Sequence, residues 1–212
     1  MIELHTPGEE DLDAVFRLDG QVFAEPWKPE DRQRTQQLME LDRFRIAVDG
    51  GRVGRRVVGV AGSYTLEMTV PGGGALPTGG VTFVAVAATH RRQGLLTQLM
   101  EEIHRDIDAR GEPLAALTAS EAGIYERFGY GVATMRRITM LDRRRARIRP
   151  EHRPPQGAVR AVEWDDPALP GELVTRWERI RRMRPGEISR SPRWLETQIA
   201  DRTADAAWVL HD

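Results

Sequence analysis

The run VTFVAVAATHRRQGLLTQLM, residues 81–100, constrains the fold of this chain more than any other stretch. Its first part, Phe83-Val84-Ala85-Val86-Ala87, is continuously apolar, as expected of a strand buried on both faces. Its last part opens a series in which Leu95, Leu96, Leu99, Ile103 and Ile107 recur at i, i+3 and i+4 spacing. That period predicts an amphipathic helix from Gly94 to about Arg110. A further apolar run, Leu114 to Leu117, predicts the next strand. Strand, helix and strand in this order make a βαβ crossover, so at least one parallel pair must enter the sheet.

The flanks add antiparallel material. Ile2–His5 reads as a strand, and Thr6-Pro7 with Glu9 as a helix start with proline at the first position and a capping-box acid. Leu12, Val15, Phe16 and Val22 give that helix an apolar face to about Phe23, and residues 29–41 predict a second helix. Phe44–Val48 and Val57–Tyr64 read as strands around the turn Asp49-Gly50-Gly51, and Pro71-Gly72-Gly73-Gly74 as a flexible connection. After Leu117 come a helical turn, Gly123–Arg127, and a long strand from Val132 to Leu141. The expected class is α+β with a mixed sheet.

Residues 149–157, RPEHRPPQG, read as a linker. Beyond it, a strand at 159–162, a helix marked by Leu173, Val174, Trp177 and Ile180, a helix capped by Ser191-Pro192 and a strand at 206–210 repeat the order of the first 49 residues. The expected organisation is a domain over 1–148, a linker over 149–157 and the beginning of a second, incomplete unit of the same kind over 158–212. Its last strand would expose an edge, which a longer natural chain or partner chains would cover.

Composition excludes several chemistries. The chain has no cysteine, so a thiol nucleophile, a disulfide framework and cysteine-ligated zinc are ruled out. A net charge of −1 gives no overall attraction to nucleic acid or membrane, and no apolar run reaches the length of a membrane span. The expected location is therefore cytoplasmic. His90 and His104 stand at no metal-ligand spacing and read as structural, so no metal is expected.

Arg91-Arg92-Gln93-Gly94 joins the strand to the helix. A helix N-terminus carries free N–H groups and a partial positive charge, and the arginines add donors, so a diphosphate fits there. The spacing matches neither G-x-x-x-x-G-K-[ST] nor G-x-G-x-x-G, which excludes the usual nucleotide loops. A solvated basic turn that merely caps the helix is the other reading.

R-R-Q-G-L-L after V-A-V resembles the coenzyme motif R/Q-x-x-G-x-G/A of the GCN5-related N-acetyltransferases (GNAT), with Leu96 where the motif has a small residue. FVAVAATHRRQGLL, with ALTASEAGIYERFGYG at 116–131, is similar to the enhanced-intracellular-survival (Eis) family of bacterial acetyltransferases. The resemblance implies two GNAT folds in tandem and a sterol-carrier-like third domain, usually in hexamers. It implies acetyl-CoA as co-substrate and amine acceptors, aminoglycoside-like polyamines or lysine side chains. By it, Val84, Ala85 and Val86 would bind the acetyl and pantetheine portion, and Arg92, Gln93, Gly94, Leu95, Leu96 and Thr97 the pyrophosphate. Ser120 and Glu121 would complete the coenzyme site, and Tyr125 would be the general acid.

The residue types suit that chemistry. Amine attack on a thioester builds an oxyanion, which strand N–H groups stabilise, and expels a thiolate, which a tyrosine can protonate. Tyr130 reads as structural, in a turn entering the next strand. The implied base is the carboxylate at the family's far C-terminus, which a chain ending at Asp212 is expected to lack. Water or Glu25 would substitute, at ~10²-fold or more in rate. Phe23, Glu25 and Trp27, between the first two helices, are the expected acceptor-binding residues, since a carboxylate beside aromatics suits a polyamine cation. Three readings remain open: an acetyl-CoA-dependent amine N-acetyltransferase, a coenzyme-binding module of the same fold with an assembly or sensing role, or a purely structural domain with no coenzyme site.

Overall fold

The computed structural model describes residues 2–51, 54–135, 139–140, 142, 144–147, 151, 159–162, 166–200 and 209–211. In chain order these form β1 (Ile2–His5), α1 (Leu12–Phe23), α2 (Pro29–Gln36), β2 (Phe44–Asp49), β3 (Arg56–Thr69), β4 (Ala75–Val86), α3 (Leu95–Ala109) and β5 (Leu114–Ala116). The strands make one sheet in the order β1-β2-β3-β4-β5, antiparallel up to β4 and parallel between β4 and β5. The expected crossover thus forms the parallel pair.

Each face of the sheet carries a core. On one, Leu12, Val15, Phe16 and Leu18 of α1 pack on Phe44, Ile46, Val60, Phe83 and Ala85. On the other, Leu95, Leu99, Met100, Ile103 and Ile107 of α3 pack on Ala47, Val58, Ala61 and Val81. These five α3 side chains are 0–4% exposed, and burying each contributes ~1.5–3 kcal/mol. Four of them belong to the predicted apolar stripe; the fifth is Met100 in place of Leu96, which is half-buried and faces the site described below.

Several local expectations are corrected. The first helix is entered through a 3-10 turn, Glu9–Asp11, that is capped at Gly8 and not at Thr6: the Asp11 carboxylate turns back to accept the Gly8 N–H at 3.1 Å. The second helix stops at Gln36, and a separate 3-10 turn covers Leu41–Arg43. Pro71–Gly74 is a tight reversal, with the Val70 N–H donating to the Gly74 carbonyl at 2.8 Å, and it closes a hairpin far longer than predicted. No strand runs through 131–135 or 139–140: Val132, Met135 and Met140 are 69%, 87% and 93% exposed. Among the described residues no neighbouring strand offers them a ladder, and an unpaired strand leaves its backbone groups unsatisfied. Residues 136–138 and 141 of that expectation lie outside the described residues, as does the linker apart from Glu151.

The later part of the chain forms β6 (Val159–Ala161), α4 (Leu169–Arg181), α5 (Pro192–Ala200) and β7 (Val209–His211), with β6 and β7 antiparallel. This is the β-α-α-β arrangement of β1, α1, α2 and β2. Ser191 caps α5 as expected, its Oγ accepting the Trp194 N–H at 3.0 Å. Beyond Gly62, where β2 ends, the outer edge of β3 is covered by other groups in succession. The Thr65 N–H donates to Glu40, the Glu67 N–H to Ser189 Oγ and the Thr69 N–H to the Glu187 carbonyl, all within 2.9 Å. Residues 186–189 therefore extend the sheet where β2 leaves it.

Candidate active site

β4 and β5 pair only from Thr78↔Leu114 to Gly80↔Ala116. Beyond that point the two strands separate, and Val81–Val84 on one side and Leu117 and Thr118 on the other line a cleft of ≈ 1920 Å³. Gly79 and Gly80 permit the close packing behind it: a Cβ at Gly79 would stand 2.4 Å from Ile107 of α3, and one at Gly80 2.3 Å from Leu66.

Opposite the cleft the β3/β4 ladder is irregular. Gly62 pairs with Thr82 and Val60 with Ala85, so Phe83 and Val84 together face Ala61. This is a β-bulge, in which one extra residue leaves the ladder and its backbone groups are redirected. Phe83 takes φ +53, a conformation that costs a bulky residue ~1–3 kcal/mol. Its ring is held by Phe16, Trp27 and Phe44 at centroid distances of 5.8, 5.9 and 5.7 Å, which over-determines the strained backbone.

The turn after β4 ends at Gly94, with φ +78 and open space where a Cβ would be. The Gln98 N–H donates to the Gly94 carbonyl, so by helix geometry the N–H groups of Leu95, Leu96 and Thr97 point out of the helix start without a partner a turn earlier. Arg91, Arg92, Gly94, Leu95, Leu96 and Thr97 all line the cleft. Gln93 does not, because its Nε2 folds back onto the Thr89 carbonyl at 3.2 Å. Ala85 also stands apart, 2% exposed within the core beside α1, whereas Val84 and Val86 reach the cleft.

Ser120, Glu121 and Tyr125 approach from the loop after β5. Tyr125 is half-buried, and burial, with the Glu121 charge, raises its pKa, which keeps the phenol protonated. Its ring meets Tyr130 edge-on at 5.9 Å, and Tyr130 Oη shares a hydrogen bond with His104 Nε2 at 2.9 Å. Burial raises the Tyr130 pKa and lowers that of His104, so both are neutral near pH 7.

Phe23 and Trp27 line the opposite end of the cleft, but Glu25 is exposed and outside the lining. Asp19, which gives no signal in the sequence, does line the cleft. The chain reverses at Ala24 (φ 55) and folds back over Gly20, where a Cβ would lie 3.1 Å from the Glu25 carbonyl. That brings Trp27 Nε1 within 2.9 Å of Asp19 Oδ2. Glu40 and Tyr64 line the same end, and residues 184–191 with Trp194 supply its far wall. There the Arg190 guanidinium lies between Trp177 and Trp194, 3.7 and 4.7 Å from their ring centroids. An aspartate at position 19 gives no local signal, because its partner arrives only through the reversal.

Among the described residues no helix is long and apolar enough to cross a membrane, and no three His, Cys, Asp or Glu residues are grouped to hold a metal ion.

A family profile described as an acetyltransferase (GNAT) domain matches residues 3–133. The N-acetyltransferase Eis of Mycobacterium tuberculosis is 41% identical over 194 residues, 89% of this chain and 47% of that protein. A Streptomyces avermitilis protein described as an uncharacterized N-acetyltransferase is 39% identical over 176 residues, 81% of this chain and 41% of the other. The crystal structure of Eis1 from Mycobacterium abscessus superposes with a TM-score of 0.75 at 32% identity, covering 100% of this chain and 51% of that one. The chain thus spans about half the length of the curated relatives it matches. The profile covers more than half of the chain and shows the family: the chain belongs to the GNAT acetyltransferases, and it is similar in sequence and structure to the Eis proteins among them.

Proposed function

We propose that this protein is an acetyl-CoA-dependent N-acetyltransferase that moves the acetyl group from the thioester to an amine, an aminoglycoside-like polyamine or a lysine side chain. The observation that carries the reading is the bulge at Phe83-Val84, set in one cleft with the open N-terminus of α3 and with Tyr125. The fit to the coenzyme rests on Gly94, whose missing Cβ leaves the helix start open to a pyrophosphate. Arg92 and the N–H groups of Leu95, Leu96 and Thr97 hold that pyrophosphate, while Ser120 and Glu121 border the coenzyme from the other side. Val84 and Val86 flank the acetyl end, where the bulged backbone offers donors to the developing oxyanion. Tyr125 keeps its proton until the departing thiolate takes it. When bound, acetyl-CoA supplies the activated acetyl group.

Phe23 and Trp27 give the acceptor an aromatic wall suited to a cation. We place the protein in the cytoplasm, as a homo-oligomer, hexameric as in the Eis family, with residues 1–148 as the coenzyme domain and 158–212 as part of a second unit. The test is titration with acetyl-CoA, followed by thiol release on adding spermine or a lysine peptide. The chain has no cysteine of its own to react with a thiol reagent. Binding followed by acceptor-dependent release is expected; binding without release would make the protein a coenzyme-binding module instead.

A further inference from the structure

Resting on the transferase reading, we propose that Tyr130, tied to His104 of α3, is a positioning residue that aims the general acid Tyr125. Among the described residues no hydrogen bond holds the Tyr125 hydroxyl, so its ring is aimed by packing and by the backbone that carries it. One local closure supplies both. The turn Glu126–Phe128 ends at Gly129, whose φ of +88 folds the chain back. The Gly129 N–H then donates to the Glu126 carbonyl at 3.0 Å, and the Tyr130 N–H to the Tyr125 carbonyl at 3.3 Å. This pair of bonds makes a Schellman closure, which brings the side chains at its two ends together. Here those side chains are Tyr125 and Tyr130, edge-on at 5.9 Å with ring planes 74° apart.

So short a turn does not fix a ring by itself; α3 does. Tyr130 Oη lies 2.9 Å from His104 Nε2, with the two rings 5.5 Å apart. His104 also meets Phe128 edge-on at 6.5 Å, so two residues of the closure rest on one imidazole. Tyr130 and His104 are both neutral near pH 7, and one proton lies between Oη and Nε2 in either histidine tautomer.

His104 belongs to the helix whose first turn is proposed to hold the pyrophosphate. Coenzyme and acid are thereby referenced to one rigid element, and the Tyr125 hydroxyl keeps its place relative to the leaving sulfur. Neither Tyr130 nor His104 lines the cleft, so each acts on the reaction only through Tyr125. Burial raises the Tyr125 pKa and the Glu121 charge adds to it. Removing the Tyr130 ring admits water beside Tyr125 and lowers that pKa, so the basic limb of the kcat profile moves to lower pH.

The test uses the full chain, acetyl-CoA and spermine. It compares Tyr130→Ala, Tyr130→Phe, His104→Leu, Tyr125→Phe and the double variant of Tyr125→Phe with Tyr130→Ala. Tyr125→Phe is expected to lose ~10²-fold or more in kcat. Tyr130→Ala should lose ~10-fold or more, with coenzyme affinity unchanged and the basic limb at lower pH, because a misplacement of ~1 Å suffices. The double variant should be no slower than Tyr125→Phe alone, since residues that act as a unit are not additive. Tyr130→Phe and His104→Leu keep the Tyr130 ring but free it from α3, and should show smaller losses with the limb moved the same way. Full kcat in Tyr130→Ala, or a double variant that loses the product of the two single losses, overturns the assignment while leaving the transferase intact. Should Tyr130→Ala not bind coenzyme, the other two single variants decide, and unchanged kcat and basic limb in both overturn it. Coenzyme binding without thiol release by the unaltered chain overturns the transferase reading and this assignment together.

Discussion

Replacing Glu112 by Gln tests the buried electrostatics beneath the cleft. Glu112 precedes β5 and receives both terminal nitrogens of Arg43, at 2.9 and 2.6 Å. The two side chains are only 5% and 2% exposed. Arg43 also donates to Ser63 Oγ and Thr65 Oγ1, and Thr65 is held by Glu40, so the pair ties the start of β2, the middle of β3 and the approach to β5 together. Removing one charge leaves a guanidinium buried among neutral oxygens. Breaking such a pair costs ~3–5 kcal/mol, whereas apolar replacement of both members is often neutral or stabilising. For a domain of this size, 2–4 °C per kcal/mol gives a fall in Tm of ~6–20 °C. Thermal melts of Glu112→Gln and of Arg43→Met with Glu112→Leu provide the measurement, with Asp42→Asn as control. Asp42 pairs with Arg110 nearby at 2.9 Å but is 70% exposed, and its loss is worth under ~1 kcal/mol. A Glu112→Gln midpoint equal to that of Asp42→Asn, or a double variant no better than the single one, would refute the burial argument.

Gly94→Glu places a side chain on a φ of +78 at the helix start and a carboxylate where the pyrophosphate is proposed to lie. Acetyl-CoA affinity by calorimetry should fall tenfold or more, about 1.4 kcal/mol, and a smaller loss would move the coenzyme elsewhere. Gly62→Ala sets a Cβ 2.3 Å from the Phe44 ring, and urea melts should show a loss of ~1–3 kcal/mol. Burial depresses the His104 pKa, so the folded state resists a proton that the unfolded chain binds below ~6.5. Stability should therefore decline as pH falls through that value, and His104→Gln should flatten the decline in melts at successive pH values.

The parts of this fold legible in the sequence are those set by local periodicity. The α3 stripe, its glycine start, the crossover to β5 and the Ser191 cap all depend on residues within a few turns of one another. The β3/β4 hairpin is longer than the sequence suggests because Ala75–Thr82 contains Pro77, Gly79 and Gly80, which argue locally against a strand. Their reason is distant, in Ile107 and Leu66, whose side chains occupy the space a Cβ would need. The same holds at the site. Trp27 stands out in the sequence by its aromatic character, but its partner Asp19 becomes visible only once the chain turns back at Ala24. The wall from residues 184–191 belongs to a stretch read as a separate unit, and nothing near it announces its pairing with β3.

The strain at Phe83 explains why the aromatic cluster and the proposed chemistry occupy one place. A left-handed Phe inside a strand would relax unless its ring were fixed from several directions, and Phe16, Trp27 and Phe44 supply three of them. These come from α1, the loop after it and β2, so the elements around the proposed acceptor end also hold the bulge at the proposed acetyl end. Trp27 connects the two directly, one face on Phe83 and its N–H on Asp19. The relative position of carboxylate and bulge is then set by a single rigid side chain rather than by two independent loops. Such coupling suits a reaction in which an attacking nitrogen and a carbonyl carbon must align within a fraction of an ångström.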